Sequence, residues 1–553
     1  MAHVSPPCQL RSSSNKKLFL IYILIVSNLI LFIALSRKYE KSYPFVTHIV
    51  QVEMTKPSWF EAITKGITNT KNIKVGLVNI DARLDDKIYQ QLHALQPKLD
   101  FVSIHFDHVN KTLKWDDFFP KWIDEEGHQP KYLEMPMPRL KDYEDVNIIV
   151  AKVPCVEEGI RDVFRLQVNL VVANLAIENG WVTKLERDTR KVYVVFVGSC
   201  GPMIEIFRCD DLLIQEGEYW VYQPDLNSLK HQMLMPLGSS QVAPGYAKTG
   251  KELWRPNSQN FAYVSILHSS EAYVCGAITL AQSILQFENK NHSSPDLLLL
   301  VDDSIGSESI RGLKAAGWKI KHIELISKPF SKNGSYNEWN YSKVLIWQLT
   351  MYDKIIFIDA DVLIFKNIEK LFTYPQLSAA SNEQKIFNSG FMIIEPSQCM
   401  FDNLMQKMYK VVESSYNGGD QGFLNEIFTW WHRLSWKMNY LKHFERQRMS
   451  EKHEVLEDVY GIHYLGLKPW MCYRDYDCNW DMEDHHIFAS DLAHKRWWKV
   501  YDTMPKKLQS YCGLRKEMGE RIMISRENAR NANLSDGHWK IEIMDPRRKS
   551  LIG

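Results

Sequence analysis

The segment Tyr352–Leu363, with the sequence YDKIIFIDADVL, constrains the fold of this chain more than any other. Its apolar run Ile355–Ile358 is rich in β-branched residues and predicts a buried strand of a parallel sheet. Asp359 and Asp361 directly follow this strand, at the edge where open α/β sheets bind ligands. Two carboxylates this close need a cation when buried, and their hard oxygen atoms suit Mg²⁺ or Mn²⁺ bridging a substrate diphosphate.

Strand and helix patterns alternate on the amino-terminal side of this segment. Helical spacing over Ala272–Leu285 separates two apolar runs with strand character, and Asn340–Leu349 has the pattern of a further helix. This alternation predicts an α/β fold with a doubly wound, mostly parallel sheet over residues 256–505. The strands predicted around the segment are Ala262–Leu267, Asp296–Val301 and Ile386–Glu395.

A second, smaller α/β unit is predicted ahead of this sheet, over residues 71–250. Lys74–Ile80 and Lys191–Val197 have strand composition, and Gly159–Ile177 carries an apolar stripe at helical spacing. Gly, Pro, Ser and Lys residues cluster over residues 238–260, which indicates a linker between the two units. No catalytic constellation is evident in this accessory α/β domain.

The segment Leu18–Leu35 is almost entirely apolar and is flanked by basic residues on both sides. Its 18 residues, as a helix, would span about 27 Å, enough for a thin bilayer of the secretory pathway. We therefore expect a retained transmembrane signal anchor at residues 18–35, between a cytosolic tail (1–17) and a stem (36–70). A cleaved signal peptide is the alternative, because residues 34–36 resemble a small-residue cleavage site.

The distribution of sequons and cysteines beyond this segment predicts a lumenal location. Eight of the nine cysteines follow it, an even number that permits disulfides in an oxidising compartment. Cys472 and Cys478, or Cys200 and Cys209, are close enough in sequence to pair locally. No C-x-x-C motif is present, which argues against a structural zinc site. The N-x-S/T sequons are Asn110, Asn291, Asn333, Asn340 and Asn533.

Net charge gives no reason to expect a nucleic-acid partner, since 67 basic residues balance 66 acidic ones. The only membrane contact predicted is the one N-terminal helix. The sequence leaves the formation of homo- or hetero-oligomers open.

Four motifs occur together, in a fixed order, after the first strand of the larger unit: Asp359-Ala360-Asp361, Phe387-Asn388-Ser389-Gly390, Gly418-Gly419-Asp420-Gln421-Gly422, and the segment from His463 through Gly466 and Lys468 to Trp470. In this combination they resemble glycosyltransferase family 8, whose members are retaining enzymes of GT-A fold that use nucleotide sugars and Mn²⁺. The resemblance covers roughly residues 256–505 and leaves residues 506–553 as a C-terminal extension.

The resemblance implies a metal site and a diphosphate site. Asp359, Asp361 and His463 match the family's metal ligands, and an imidazole beside two carboxylates shifts the preference towards Mn²⁺. Gly466 matches a position of close backbone approach to the diphosphate. Lys468 matches the lysine that neutralises the leaving phosphate.

The resemblance also implies contacts with the nucleoside and the sugars. Leu267, Ser269 and Tyr273 align with the uridine-binding strand end, where Tyr273 would stack on the base; serine replaces an expected threonine. Lys343 matches a lysine near the diphosphate and donor sugar. Asn388 and Ser389 match residues that bind donor or acceptor, Asp420 and Gln421 match the pair nearest the anomeric carbon, and Asn417 replaces an aspartate of glycogenin.

Retention of configuration requires either a covalent carboxylate intermediate or attack on the anomeric carbon from the same face as the departing leaving group. Gln421 is a poor nucleophile, so we favour same-face attack, with Mn²⁺ and Lys468 stabilising the departing UDP. Because Asn417 removes a negative charge, we also hypothesise that it favours a donor sugar bearing a carboxylate.

The whole layout, with its tail, single span, N-terminal domain and N-G-G-D-Q-G motif, resembles plant glycogenin-like proteins of family 8. These include Golgi enzymes that transfer glucuronic acid from UDP-glucuronate to xylan in α-1,2 linkage. The resemblance therefore implies a UDP-glucuronate donor, a xylan acceptor and a single-pass type II Golgi protein. Two alternatives are a glycogenin-like UDP-glucose transferase and a non-catalytic Golgi scaffold that binds polysaccharide.

Overall fold

A computed structural model shows two successive α/β domains, each built on a large sheet, together with a small three-stranded sheet and a helical C-terminal segment. The residues described are 59–61, 63, 73–81, 88, 90, 92, 99–120, 123, 125, 133–155, 161–180, 190–238, 242, 260–287, 294–329, 338–383, 385–410, 419–444 and 453–547. Among these residues no helix has the length and apolar character needed to cross a bilayer. The predicted anchor at residues 18–35 lies outside them.

The strands follow the chain in two blocks. The N-terminal block comprises β1 (Ile73–Val78), β2 (Leu99–Ile104), β3 (Ile148–Lys152), β4 (Tyr193–Val197), β5 (Leu212–Glu216) and β6 (Tyr219–Tyr222). The second block comprises β7 (Phe261–Leu267), β8 (Asp296–Val301), β9 (Lys319–His322), β10 (Lys354–Ile358), β11 (Val362–Ile364), β12 (Ser378–Glu383), β13 (Ile386–Ile394), β14 (His432–Leu434), β15 (Tyr440–Leu441) and β16 (Gly461–His463).

Nine α-helices have both ends within the part of the chain that the structure describes. They are α1 (Val163–Gly180), α2 (Leu226–Met233), α3 (Val274–Leu285), α4 (Ser307–Ala315), α5 (Gln398–Met408), α6 (Asp420–Ile427), α7 (Asp491–Thr503), α8 (Lys506–Gln509) and α9 (Lys516–Ala532). The predicted helix at Asn340–Leu349 is a 3₁₀ helix, Asn340–Gln348.

The N-terminal domain, described over residues 73–238, is built on a sheet of order β2-β1-β3-β4-β6-β5. Strands β1 to β4 run parallel, and β6 joins β4 in the antiparallel sense. Helix α1 is buried over most of its length because apolar side chains cover several of its faces. The predicted α/β character of this domain is therefore confirmed.

The second domain, described over residues 260–547, contains a sheet of order β14-β12-β13-β10-β7-β8-β9. Strands β10, β7, β8 and β9 are parallel, and β13 pairs antiparallel with both β10 and β12. Strand β10 is completely buried, as its apolar run predicts. The expectation of a mostly parallel α/β sheet is confirmed, with β13 as the inserted antiparallel strand.

Contacts of several kinds join the two domains, and both lie in one compact unit of residues 56–553. Cys209 of the N-terminal domain forms a disulfide with Cys399 of α5. Next to it the Arg208 guanidinium pairs with the Glu395 carboxylate, which is also 3.3 Å from Lys354 Nζ. In addition, Glu205 Oε1 accepts a hydrogen bond from the Thr429 N–H.

The disulfide pattern partly corrects the sequence-based prediction. Cys472 and Cys478 do pair locally, but Cys200 and Cys209 do not pair with each other. Cys200 instead bonds Cys155, a partner 45 residues away. Sequence proximity failed here because Cys200 follows β4 and Cys155 follows the adjacent parallel strand β3, so the sheet brings their loops together.

The C-terminal extension packs closely against the second domain. A disulfide links Cys512 to Cys275 on α3. The Arg547 guanidinium pairs with Asp545 and donates to the backbone carbonyls of Trp470 and Cys512. Residues near the chain end therefore brace the segment that follows Lys468.

Candidate active site

The Asp359-Ala360-Asp361 turn lies at the carboxyl end of β10, as the sequence predicts. The Asp359 N–H donates to the Gly390 carbonyl at 2.9 Å, which fixes the turn to β13. The chain then enters β11, whose first residue, Val362, pairs with His463 of β16. A short antiparallel ladder therefore carries His463 to the aspartate pair from a point about a hundred residues later in the chain.

Asp359, Asp361 and His463 form a cluster that can hold a metal ion. One ligand atom from each lies within 4.8 Å of the others. His463 Nε2 is 3.2 Å from Asp361 Oδ1, and the buried Nδ1 atom has no hydrogen-bond partner among the described residues. Two carboxylates and one imidazole are a donor set that Mn²⁺ accepts, so these residues fit the ion that the sequence predicts.

Two buried lysines balance the aspartates. Lys468 Nζ lies 2.7 Å from Asp361 Oδ2 and donates to the Tyr464 carbonyl at 2.5 Å. Burial raises the pKa of Asp361, but the Lys468 ammonium and the His463 ring together bring it well below its usual value. The sequence-predicted diphosphate lysine is thus adjacent to the metal cluster.

Lys343 bridges a second pair of carboxylates. Its Nζ lies 3.2 Å from Asp359 Oδ1 and 2.6 Å from Asp420 Oδ2. Burial lowers the pKa of Lys343, yet both carboxylates raise it, and the net pKa is above its usual value. Partial burial and the Asp361 charge raise the pKa of Asp359 despite Lys343, so further positive charge here would stabilise its carboxylate.

The F-N-S-G segment of β13 connects to the start of α6. Ser389 Oγ donates to Asp420 Oδ2 at 2.8 Å, and the Ser389 N–H donates to Gln421 Oε1 at 3.2 Å. Burial raises the pKa of Asp420, while Lys343 and the hydrogen bonds lower it below its usual value. Asn388 holds the neighbouring backbone, since its Oδ1 accepts from the Gly390 N–H at 2.9 Å.

The opposite wall of the site comes from the carboxyl end of β7. Ser269 has a left-handed backbone conformation, φ 63°, and its N–H donates to Asp302 Oδ1 at 3.2 Å. The ring of Tyr273 lies edge-on to Trp470, with centroids 5.9 Å apart, and 5.8 Å from Lys468 Nζ. This wall and the aspartate turn enclose a cleft of about 580 Å³. It is lined by Ile266, Leu267, His268, Ser269, Ser270, Tyr273, Glu338, Trp339, Asn340, Lys343, Asp359, Ala360, Asp361 and Asp420.

The backbone conformation and the packing at position 466 both require glycine. Its φ is +73°, and a Cβ atom would lie 2.5 Å from Asn479 Oδ1 and 2.7 Å from Phe488 Cβ. Backbone conformation and packing therefore require glycine here, whether or not a diphosphate approaches. Asn417 lies outside the described residues.

Sequence reasoning missed Asn439 and Asp302 near the site, and it named Gly390 within a motif without predicting its role. Asn439 Nδ2 donates to Asn388 Oδ1 at 3.0 Å, but a lone asparagine in a distant segment carries no recognisable signal. Gly390 makes room for the cluster, since a Cβ there would lie 2.5 Å from His463 Cε1 and 2.8 Å from Asp359 Oδ2. Asp302 follows β8 as Asp359 follows β10, and this strand-end position could have identified it.

Comparisons with known proteins agree with this division of the chain. Residues 49–240 match the GUX1-5 N-terminal domain, and residues 265–472 match Glycosyl transferase family 8. A crystal structure of the galactosyltransferase LgtC with donor and acceptor sugar analogues matches 45% of this chain and 99% of its own. Its TM-score is 0.31 and its sequence identity 14%, too distant to support an argument about function.

Relatives from Arabidopsis thaliana match almost the whole chain. "Putative UDP-glucuronate:xylan alpha-glucuronosyltransferase 4" is 47% identical and covers 98% of this chain and 99% of its own length. UDP-glucuronate:xylan alpha-glucuronosyltransferase 2 is 46% identical over 91% of this chain and 85% of its own. The chain belongs to glycosyltransferase family 8, in the group formed with these full-length relatives and marked by the GUX1-5 N-terminal domain.

Proposed function

We propose that the protein transfers glucuronic acid from UDP-glucuronate to xylan, with formation of an α-1,2 linkage. The observation that carries this proposal is the convergence of Asp359, Asp361 and His463 with Lys468 in one cleft, within a chain that aligns with the Arabidopsis relatives over nearly its full length. The donor and acceptor are those for which these relatives are named.

We further propose that Mn²⁺ occupies the site formed by Asp359, Asp361 and His463. A bound divalent ion would offset the negative charge of the donor diphosphate. The two carboxylates supply oxygen ligands, and the His463 ring adds the nitrogen that favours Mn²⁺ over Mg²⁺. Removal of the ion with EDTA is expected to abolish transfer, and Mn²⁺ is expected to restore it better than Mg²⁺.

The two buried lysines have different roles in the proposed reaction: Lys468 stabilises negative charge on the donor diphosphate, and Lys343 positions Asp420. Lys468 is held beside Asp361 by a short contact and by the Tyr464 carbonyl, so its ammonium is already oriented before the donor binds. Such a preorganised cation stabilises the negative charge that grows on the leaving phosphate. Lys343 orients Asp420 through their 2.6 Å contact.

The surroundings of Asp420 favour same-face attack over a covalent intermediate. Its Oδ2 already contacts Lys343 Nζ and accepts from Ser389 Oγ, and these contacts stabilise the carboxylate and reduce its nucleophilicity. The Gln421 amide is a poor nucleophile. We propose that the bond from the anomeric carbon to UDP breaks as the acceptor oxygen bonds to the same face, and that the departing phosphate accepts the hydroxyl proton.

We also propose a single-pass type II Golgi protein with residues 36–553 in the lumen. All eight cysteines beyond the predicted anchor form disulfides in the structure, which supports an oxidising compartment. Glycosylation at Asn340 is not expected, because this residue lines the cleft beside Lys343. Protease protection of the C-terminal region in sealed vesicles tests the topology, and digestion without detergent would refute it.

A donor screen tests the proposed activity. The purified full-length chain, solubilised in detergent, is supplied with Mn²⁺, a xylo-oligosaccharide and UDP-glucuronate, UDP-glucose or UDP-xylose. We expect transfer from UDP-glucuronate and an α-linked product. A preference for UDP-glucose would favour the glycogenin-like alternative, and absence of turnover with every donor would favour the scaffold.

A further inference from the structure

A second and larger cleft, of about 1080 Å³, lies where the two domains meet. One wall is the loop His108–Asp116, which follows β2, together with the start of α1, which follows β3. Ligands of open α/β sheets bind outside the carboxyl ends of the strands, and this wall occupies that position in the N-terminal domain. Lys385 and Glu426 form the other wall, from the second domain. We call this space the junction cleft.

The junction cleft is reached from the catalytic cleft along two elements. Glu426 lies on α6, six residues after Asp420, which corresponds to about 9 Å of helix. Lys385 lies four residues before Ser389, which corresponds to about 13 Å of extended chain. Because Ile358, the last residue of β10, pairs with Phe391, the first residues of β13 extend beyond β10 on the side of the aspartate turn. Along these two elements the clefts are about 9–13 Å apart, a length that a few linked sugar units span.

Ion pairs across the domain boundary hold the walls of the junction cleft together. Arg161 pairs with Glu426 at 3.2 Å, and its guanidinium also donates to the Asn425 carbonyl at 2.8 Å. Asn425 Nδ2 in turn donates to the Gln421 carbonyl, so hydrogen bonds connect Arg161 of the N-terminal domain to the start of α6. On the other side Lys385 pairs with Asp116 at 2.9 Å.

The lining of the junction cleft suits an acidic polysaccharide. The exposed His108 ring lies 4.5 Å from the half-buried Phe164 ring, with their planes 39° apart, and together they offer an angled aromatic surface. Lys111 and Lys114 are exposed, and neither forms an ion pair with any residue that the structure describes. Free ammonium groups bind carboxylates through charge-assisted hydrogen bonds.

We propose that the junction cleft binds a stretch of the acceptor polysaccharide away from the reacting sugar, through Lys111 and Lys114. The inference rests on the proposed function, because glucuronate groups already attached to the acceptor supply the carboxylates. The N-terminal domain thereby contributes an acceptor-binding surface, and long acceptors that reach it are bound better than short ones.

The test compares two acceptors. One is a xylan polymer that carries some glucuronate groups, and the other is the shortest xylo-oligosaccharide that the wild-type chain accepts. For full-length Lys111→Glu/Lys114→Glu, we expect kcat/KM for the polymer to fall about tenfold, mainly through KM. For the short acceptor, we expect kcat/KM to stay within about twofold of the wild-type value, because it does not reach these lysines.

A matched control reverses the same number of charges elsewhere. Lys495 and Lys499 are exposed on α7, which does not line the junction cleft. Lys495→Glu/Lys499→Glu should leave both acceptors unaffected. Lys111→Gln/Lys114→Gln provides a milder variant with a smaller loss for the polymer alone, and thermal unfolding checks that each variant is folded.

Several results would overturn the proposal. One is an equal loss with both acceptors, and another is unchanged polymer activity in the charge-reversal variant. Asn110 is the acceptor of a sequon on the same rim, so an attached glycan is the rival occupant. Faster polymer transfer by Asn110→Gln, with no effect of the lysine variants, would assign the cleft to that glycan. A wild-type chain inactive with both acceptors and every donor would instead refute the proposed function.

Discussion

The ammonium group of Lys468 is held in a fixed position by its neighbours in the site. The residue is 8% exposed, and its ammonium is held between the Asp361 carboxylate and the Tyr464 carbonyl. A cation fixed in this way needs little reorganisation during the reaction, so its effect falls mainly on the transition state.

The Lys468→Ala variant should therefore lose turnover more than donor affinity. We expect kcat to fall by about 10²–10³-fold, the usual effect of removing one preorganised group that stabilises developing charge. Steady-state kinetics with UDP-glucuronate measures this, and Lys495→Ala, at an exposed position, serves as control. An unchanged kcat with a raised KM would show that Lys468 acts in ground-state binding.

At the scale of residues, local sequence patterns predicted the aspartates and lysines, but not what surrounds them. Asp359 and Asp361 were predictable because a buried apolar strand ends immediately before them. His463 was predictable only through the motif that it shares with Lys468. Asn439 was not, because its contact with Asn388 arises from tertiary packing between segments about fifty residues apart.

Strand β13 is the element that brings the metal cluster and the proposed catalytic residues together. It pairs antiparallel with β10, and it carries Asn388, Ser389 and Gly390 past the end of that strand. Gly390 is the point of closest approach, because His463 and Asp359 occupy the space that a side chain would need.

Gly390→Ala should damage the metal site more than it damages the fold. Displacement of the ligands is expected to weaken metal binding about 10–100-fold, whereas crowding should reduce the unfolding free energy by only about 1–3 kcal/mol. Gly513→Ala is a matched control, since its φ is −59° and the nearest atom to the new Cβ is 4.0 Å away. Mn²⁺ titration and thermal unfolding separate the two effects. Normal metal affinity in Gly390→Ala would contradict the expectation.

The loop after α9 contains a charged contact that depends on pH. His538 lies between two carboxylates, with Nδ1 2.8 Å from Asp536 Oδ1 and Nε2 3.0 Å from Asp491 Oδ2. Burial lowers the pKa of His538, but these hydrogen bonds raise it from 6.5 to about 9. His486 also approaches Asp536, at 3.6 Å.

A raised pKa in the folded state fixes the sign of the pH dependence. Protonated His538 stabilises the fold fully below the unfolded-state pKa of 6.5, and this contribution is lost as the pH rises through about 9. We expect the difference in unfolding free energy between wild type and His538→Gln to shrink over this range. Denaturant unfolding at several pH values measures it, and a difference that grows with pH would contradict the assignment.

At the scale of the whole molecule, both sheets were predictable and their junction was not. Apolar runs such as Asp296–Val301 identify buried strands within one domain, and here the predicted and observed bounds coincide. The contacts between the domains join residues far apart in sequence, as Cys209 with Cys399 and Arg161 with Glu426. No periodic pattern in either segment specifies such a partner.

The Cys209–Cys399 disulfide closes a loop of 190 residues, whereas Cys472–Cys478 closes one of six. Because a cross-link restricts the unfolded chain more when its loop is longer, Cys209→Ser/Cys399→Ser should lower the unfolding free energy by about 2–4 kcal/mol and Cys472→Ser/Cys478→Ser by less. Glu205 and Arg208 still join the domains in the first variant, so polymer transfer at low temperature should persist.

Thermal unfolding of both variants under non-reducing conditions compares the two losses in stability. A smaller loss for the long loop than for the short one would contradict the expected dependence on loop length.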